Sequence, residues 1–136
     1  MIKFSRKTEY ALIAIQYIAN KGITEFSTAK EISDNYNISY ELLAKILQRL
    51  AKNNIITSTK GVNGGYKFIK SPDDVTLSEI IESLNESYAL TRCLKKNRPN
   101  KTDCQIADCC TLKNPVAIIQ NRLNIFFDDI TIRHLM

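Results

Sequence analysis

The fold is decided by residues 39–70, which read SYELLAKILQRLAKNNIITSTKGVNGGYKFIK. The first part predicts an amphipathic helix, because apolar residues recur every three or four positions. These residues are Leu42, Leu43, Ile46, Leu47 and Leu50. Ser39 stands where an N-cap belongs. The second part predicts a β-hairpin, since strand-like residues flank a glycine-rich turn at 61–65.

The residues before this stretch predict two further helices. Apolar positions at helical spacing indicate a helix over about 7–20, with Gly22 where a helix stop belongs. Thr28 and Glu31 form a capping-box pattern that opens a short second helix, which ends near residues 35–37. A short helix, a tight turn and a helix with a long-armed polar face are typical of a helix-turn-helix. We therefore predict a mainly α fold with a small β wing, a winged helix-turn-helix.

This architecture predicts contacts with double-stranded DNA. The start of the second helix of such a motif enters the major groove, and the glycines of the wing permit close approach to a phosphate or groove wall. The candidate contacts on the helices are Thr28, Ser39, Tyr40, Glu41, Lys45, Gln48 and Arg49. On the wing they are Lys60, Asn63 and Gly64, with Lys60 best placed for the minor groove or a phosphate. The alternative is an ordinary three-helix domain whose polar face meets solvent, and the wing weighs against it.

Charge is distributed unevenly along the 136 residues. Residues 1–70 hold 11 Lys and Arg against 5 Asp and Glu, whereas residues 71–136 hold 8 against 9. A basic first half favours a nucleic-acid-binding unit, although Lys is also a common surface residue. The sequence has no apolar run of transmembrane length and no clear signal peptide, so we expect a cytoplasmic protein with no membrane partner.

The second half predicts two helices and a loop. Thr76 and Glu79 form another capping box, and Asn114 and Pro115 are predicted as N-cap and N1 of a longer helix. That helix has a wide apolar stripe, which favours packing against a partner helix in a homodimer over packing on its own domain alone. The stripe is Ile118, Ile119, Leu123, Phe126, Phe127 and Ile130. We predict a DNA-binding domain at 1–75 and dimerisation helices at 76–136. Between these helices lies a predicted sensor loop (92–113), called the cysteine loop below.

All four cysteines lie in the predicted loop, at positions 93, 104, 109 and 110. Clustered thiols in a polar loop indicate a metal site or a thiol–disulfide switch. An all-thiolate zinc site in a protein-interaction module is a third interpretation, although CxxC knuckles are absent. The sequence contains neither a CxxC redox motif nor a Cys/His pair with a placed base, so we do not expect an enzyme.

Three stretches resemble one family of bacterial regulators. LQRLAKNNIITSTKGVNGGY at 47–66, FSRKTEYAL at 4–12 and SPDDVTLSEIIESL at 71–84 resemble the Rrf2 (IscR/NsrR-like) family of transcription regulators. The resemblance implies a homodimer on a pseudo-palindromic operator. It also implies contacts from Ser39, Glu41, Ala44 and a basic wing residue, Lys60. Ala44 stands where the iron–sulfur biogenesis regulator carries a base-reading Glu, so the resemblance does not imply the same operator.

The resemblance further implies an iron–sulfur cluster, either 2Fe–2S or 4Fe–4S, that senses redox state, nitric oxide or iron. Cluster-binding members use three cysteines with five residues between the last two, which Cys104 and Cys110 reproduce. Cys93 matches the first cysteine, although its interval to Cys104 is longer, and Cys109 is an alternative to Cys110. Lys113 stands where the biogenesis regulator has a His ligand.

A carboxylate is the candidate for the fourth ligand. Residues 9–12, Glu-Tyr-Ala-Leu, match the pattern in which the nitric-oxide-sensing member supplies a carboxylate from the other subunit, which implies Glu9. The alternative is that Glu9 is an acid favoured by the helix dipole in the first turn. His134 is interpreted as a surface or capping residue.

Overall fold

The computed structural model describes residues 2–96 and 104–136. It contains α1 (Arg6–Lys21), α2 (Ala29–Tyr36), α3 (Tyr40–Lys52), β1 (Ile56–Thr59), β2 (Gly65–Phe68), α4 (Leu77–Ser83) and α5 (Lys113–Asp129). Two short 3₁₀ helices span Arg92–Leu94 and Ile132–Leu135. The predicted mainly α fold with a small β wing is confirmed. None of the helices in the described ranges is long and apolar enough to cross a membrane.

Local capping signals set the starts of α1, α2 and α4 and the end of α1. The Ser5 hydroxyl accepts a hydrogen bond from the Thr8 N–H at the start of α1, and Gly22 ends that helix with φ of 113°. Thr28 and Thr76 each complete the predicted capping box at the starts of α2 and α4. Such reciprocal bonds satisfy backbone amides that have no partner within the helix. These ends were predictable because both partners lie within four residues.

One hydrophobic cluster joins both predicted domains. It includes buried residues of α1 (Ile15), α3 (Leu47) and the wing (Phe68), together with Leu84 of α4 and Ile132 near the C-terminus. Burying each such side chain contributes about 2 kcal/mol. The predicted division at residue 75 therefore crosses a shared core, and it stays a prediction about function.

The wing is docked against the connection between α1 and α2. β1 and β2 pair antiparallel, with Ile56 opposite Phe68 and Thr59 opposite Gly65. Ser27 adds an isolated bridge to this hairpin. Its N–H donates to the Tyr66 carbonyl at 2.9 Å, and the Tyr66 N–H donates to the Ser27 carbonyl at 2.7 Å. These bonds fix the wing relative to the start of α2.

The structure corrects two sequence expectations, the start of α5 and the burial of Leu42, and confirms Ser39 as the N-cap of α3. The predicted N-cap and N1 positions of α5 are wrong, because the helix begins at Lys113 with Leu112 as N-cap. Pro115 still lies in the first turn, where its missing N–H costs no helical bond. Leu42 was predicted on the apolar side of α3 but is 38% exposed. Ser39 occupies the N-cap of α3, but its hydroxyl makes no capping bond.

The C-terminal turn was not predicted. After α5, Ile132 enters the core with 1% exposure, and its N–H donates to the Val75 carbonyl at 3.0 Å. His134 caps this turn by accepting the Thr131 N–H at Nδ1, 3.1 Å away, as its interpretation as a capping residue proposed. The turn thereby ties the end of α5 to the segment that follows the wing.

Candidate nucleic-acid interface and cysteine loop

The exposed side of α3 carries the predicted polar residues on one face. Glu41, Lys45 and Gln48 are exposed and separated by four and three positions, so they lie one above the other along the helix. Behind them, Leu43, Ile46, Leu47 and Leu50 are buried in the core. Tyr40 and Ser39 are exposed at the N-terminal end, and Ala44 is half-buried. The face is therefore anchored from behind and open in front.

The wing tip exposes one positively charged side chain, that of Lys60, beside the backbone of the glycine-containing turn. Lys60 and Asn63 are exposed, beside a fully exposed Val62. A Cβ added at Gly64 would lie 2.1 Å from the Thr59 carbonyl oxygen, so only glycine closes this turn. A Cβ at Gly65 would lie 2.7 Å from the Ser27 carbonyl oxygen, where the wing meets the α1–α2 connection.

Two predicted contact residues have partners within the chain. The Thr28 hydroxyl accepts the Glu31 N–H at 3.0 Å as part of the capping box. The Arg49 guanidinium donates to the Leu84 carbonyl at 3.4 Å, at the C-terminal end of α4. Lys7 donates to the same carbonyl, and Asn53 donates to the neighbouring Ser83 carbonyl at 3.3 Å. Arg49 thus lies at a joint between α3, α4 and α1, which the sequence did not reveal.

A polar cluster holds α2 against α1. Glu31 accepts hydrogen bonds from Tyr17 at 2.5 Å and from Lys21 at 2.7 Å. Burial acts to raise the pKa of Glu31, but the bonds from Lys21, Tyr17 and the Thr28 backbone outweigh it and leave that pKa below its ordinary value. The hydrogen bond to Glu31 raises the pKa of Tyr17. The cluster orients α2, the helix that precedes α3.

The four cysteines are free thiols. Cys93 is exposed in the short 3₁₀ helix, where its sulfur lies 3.1 Å from the Thr91 hydroxyl. Cys104 and Cys110 are half-buried, and Cys109 is exposed. Glu9 lies in the first turn of α1, with an oxygen 3.7 Å from the Arg6 guanidinium.

Helix α5 has two different sides. Its inner side contributes the buried Phe127 and Gln120, and Gln120 was not singled out by the sequence. Its outer side exposes Ile118, Ile119, Ile125 and Phe126, each at least half exposed. An apolar face of this kind on a helix is typical of an association surface.

Comparison with known proteins decides the family. The family model described as "Rrf2: Iron-dependent Transcriptional regulator" matches residues 4–136. The chain belongs to the Rrf2 family.

Relatives within the Rrf2 family are named as transcriptional regulators. A putative HTH-type transcriptional regulator of Aquifex aeolicus is 31% identical over 134 residues, covering 98% of this chain and 90% of the relative. The HTH-type transcriptional regulator NsrR of Shouchella clausii is 32% identical over 106 residues, covering 78% and 69%. Among solved structures, CymR of B. subtilis superposes with a TM-score of 0.76 at 24% identity, covering 99% of this chain and 96% of that one. The chain is therefore a transcriptional regulator with the winged-helix fold of these proteins, and its relatives are not enzymes.

The family model that matches this chain is described as iron-dependent, and the donor chemistry of the cysteine loop suits an iron–sulfur cluster. Thiolates are the usual ligands of iron–sulfur clusters. Within residues 2–96 and 104–136, however, no three His, Cys, Asp or Glu side chains form a group that could hold a metal ion. Residues 97–103, which lie between Cys93 and Cys104, are outside the described part of the chain. The donor types therefore fit an iron–sulfur cluster.

Proposed function

We propose that this Rrf2 regulator binds a pseudo-palindromic operator as a homodimer, and that an iron–sulfur cluster on the cysteine loop controls its affinity. The observation that carries the proposal is the clustering of all four thiols in the segment leading into α5, in a chain whose family is described as iron-dependent. A cluster would supply a centre whose integrity depends on redox state, iron or nitric oxide. Because the proposed target is chromosomal DNA, the proposed site of action is the cytoplasm.

The DNA interface consists of the exposed face of α3 and the wing. Ser39, Tyr40, Glu41 and Gln48 are proposed to reach base edges in the major groove, with Ala44 beside them. Lys45 and Lys60 supply positive charge for phosphates, and Lys60 lies where the wing would approach the backbone or minor groove. Asn63 and Gly64 complete the wing contact. Thr28, at the start of α2, is proposed to contact the DNA backbone.

The outer side of α5 is the proposed dimer surface. Ile118, Ile119, Ile125 and Phe126 form an exposed apolar face whose burial would contribute about 2 kcal/mol for each side chain. A two-fold dimer presents two recognition helices to two half-sites, which requires a pseudo-palindromic operator.

The proposed cluster ligands are Cys93, Cys104 and Cys110. Cys109 is the alternative to Cys110, and Glu9 of the partner subunit is the proposed fourth ligand. Glu9 suits this role in one respect, because its side chain is about half exposed on the outside of α1. The loop residues would hold the cluster, and the contacts between α4 and α3 provide a route from the loop to the recognition helix.

The test is anaerobic reconstitution with iron and sulfide, followed by absorption spectroscopy and metal analysis. Wild type, Cys110→Ala and the neighbouring control Cys109→Ala are compared. We expect absorbance near roughly 400 nm, typical of thiolate-ligated iron, in wild type and Cys109→Ala but not in Cys110→Ala. If the absorbance is lost in Cys109→Ala and kept in Cys110→Ala, Cys109 and not Cys110 is the ligand. Wild-type protein that takes up neither iron nor sulfide would refute cluster control.

A thiol–disulfide switch is the second candidate. It is favoured by the observation that all four thiols are free and at least partly accessible, with no preformed ligand group in the described ranges. Mass spectrometry after mild oxidation of metal-free protein distinguishes it, because a switch requires one dominant disulfide. Stoichiometric zinc with no iron would instead favour a zinc-stabilised interaction module.

A further inference from the structure

Cys93 is carried by an arm, residues 85–94, that runs from the end of α4 to the short 3₁₀ helix. Most of the arm has no regular secondary structure, so side-chain contacts set its position. Two of these contacts come from the inner side of α5.

The first contact is a buried amide. Gln120 is 7% exposed, and its Oε1 accepts the Leu90 N–H at 2.7 Å. Its Nε2 donates to the Tyr88 carbonyl at 3.4 Å and to Asn124 Oδ1 at 2.9 Å. One acceptor and both donor hydrogens of the amide are thus engaged. A buried amide without these partners would be costly, so the bonds hold the arm and the helix together.

The second contact is aromatic. The Tyr88 ring meets the buried Phe127 ring edge-on, with centroids 4.6 Å apart. Tyr88 and Phe127 belong to a small cluster with Leu77 and Ile81 of α4. The arm is therefore fixed to α5 at Tyr88 and Leu90, and Leu90 lies three positions before Cys93.

The same helix also follows the other end of the cysteine loop. Cys110 lies three residues before Lys113, where α5 begins. We propose that Gln120 is a positioning residue that holds the Cys93 arm on α5 and so fixes Cys93 relative to Cys110. This inference rests on the proposed function in treating both cysteines as ligands. A cleft of about 710 Å³ lies beside the arm and is lined in part by Gln120, Leu94 and Lys96.

Amide hydrogen exchange in the full, metal-free chain tests the contact directly. Gln120→Leu fills the buried position but leaves the Leu90 N–H without its acceptor, so Leu90 should exchange about tenfold faster. Asn124→Ala is the matched control, because it removes the other partner of Gln120 and leaves the arm contacts intact. Unchanged exchange in Gln120→Leu, or equal acceleration in the control, would overturn the proposal.

Iron release from reconstituted protein tests the consequence. A chelator should remove iron several-fold faster from Gln120→Leu than from wild type or Asn124→Ala, because a free arm lowers the effective concentration of one ligand. Equal release rates would overturn the positioning role. If wild type takes up no iron, the proposed cluster fails, and the exchange result alone decides whether Gln120 holds the arm.

Discussion

At the scale of single residues, two adjacent glycines have different reasons to be glycine. Gly64 lies against the carbonyl of Thr59 within its own hairpin, whereas Gly65 lies against Ser27 of another segment. Glycine at position 64 allows the hairpin to turn, and glycine at position 65 allows the hairpin to pack against Ser27. A glycine-rich turn was predictable from the sequence, but the second role was not, since Ser27 is 38 residues away.

Gly65→Ala tests this docking role. We expect the variant to lose about 1–3 kcal/mol of unfolding free energy, because its Cβ would meet the Ser27 backbone and its φ is 142°. Gly61→Ala is the control, with φ of 114° but open space around its Cβ. Urea unfolding should show a clearly larger loss for Gly65→Ala. Equal losses would mean that backbone strain alone accounts for the effect.

The contacts of single residues were predictable from the sequence when the two partners lie close together along the chain. The capping boxes at Thr28 and Thr76 were predictable, because each is closed by residues three positions apart. Arg49 and Gln120 were not assigned their observed partners, Leu84 and Leu90, because these lie 35 and 30 residues away. A polar side chain on a helix face looks the same in sequence whether it meets solvent, DNA or a distant carbonyl.

At the scale of elements, α3 is held at its C-terminal half by α4. Arg49 and Asn53 donate to the last carbonyls of α4, which are without partners inside that helix. The N-terminal half of α3 is free to face DNA. We therefore propose that Arg49 acts at this joint and that Lys45 contacts DNA.

Salt dependence separates these two roles. The test uses a duplex that wild-type protein selects from a random-sequence pool. Lys45→Gln should lower the slope of log affinity against log salt by about 1, because it removes one charged group from a phosphate. Arg49→Gln should weaken binding with an unchanged slope, because it displaces α3 and leaves the phosphate-binding cations in place. Lys52→Gln controls for the charge change on the same helix. An equal fall in slope for Arg49→Gln would make Arg49 a DNA contact.

The packing of α2 on α1 should depend on pH through Glu31. Its pKa is lowered in the folded state, so its contribution is present above the unfolded pKa and is lost as pH falls through the folded pKa. We expect Glu31→Gln to cost about 1 kcal/mol near pH 7, with the difference from wild type shrinking below about pH 4.5. Asp34→Asn, which disrupts an exposed pair with Lys30, should change little. A pH-independent difference in the unfolding free energy would contradict the assignment.

At the scale of the whole molecule, the outer side of α5 should hold two copies together. Ile119→Asp places a charge on that face, and sedimentation should show a monomer where wild type is a dimer. Ile69→Asp is the control, since Ile69 is similarly exposed but lies outside α5. A monomeric wild type, or an Ile119→Asp dimer of unchanged stability, would exclude this face as the interface.

The sequence predicted the order of the helices and strands better than the positions of the four cysteines relative to one another. Helix and strand periodicity is local, so α1 to α4 and the wing lay close to their expected positions. The joining of both predicted domains through Ile132 depends on the chain returning to its own core, which periodicity does not indicate. The relative positions of four loop sulfurs depend on turns and long-range contacts such as that of Gln120.

The most direct test of control by the cysteine loop compares the affinity of the protein for one DNA duplex with and without its iron–sulfur cluster. The duplex selected by reconstituted protein is titrated anaerobically with reconstituted and with chelator-treated wild type, and with Cys110→Ala. We predict that cluster removal changes the wild-type Kd by about tenfold or more, and that the same treatment leaves the Kd of Cys110→Ala unchanged. Equal Kd values for the two wild-type states would contradict control of this regulator by its cysteine loop.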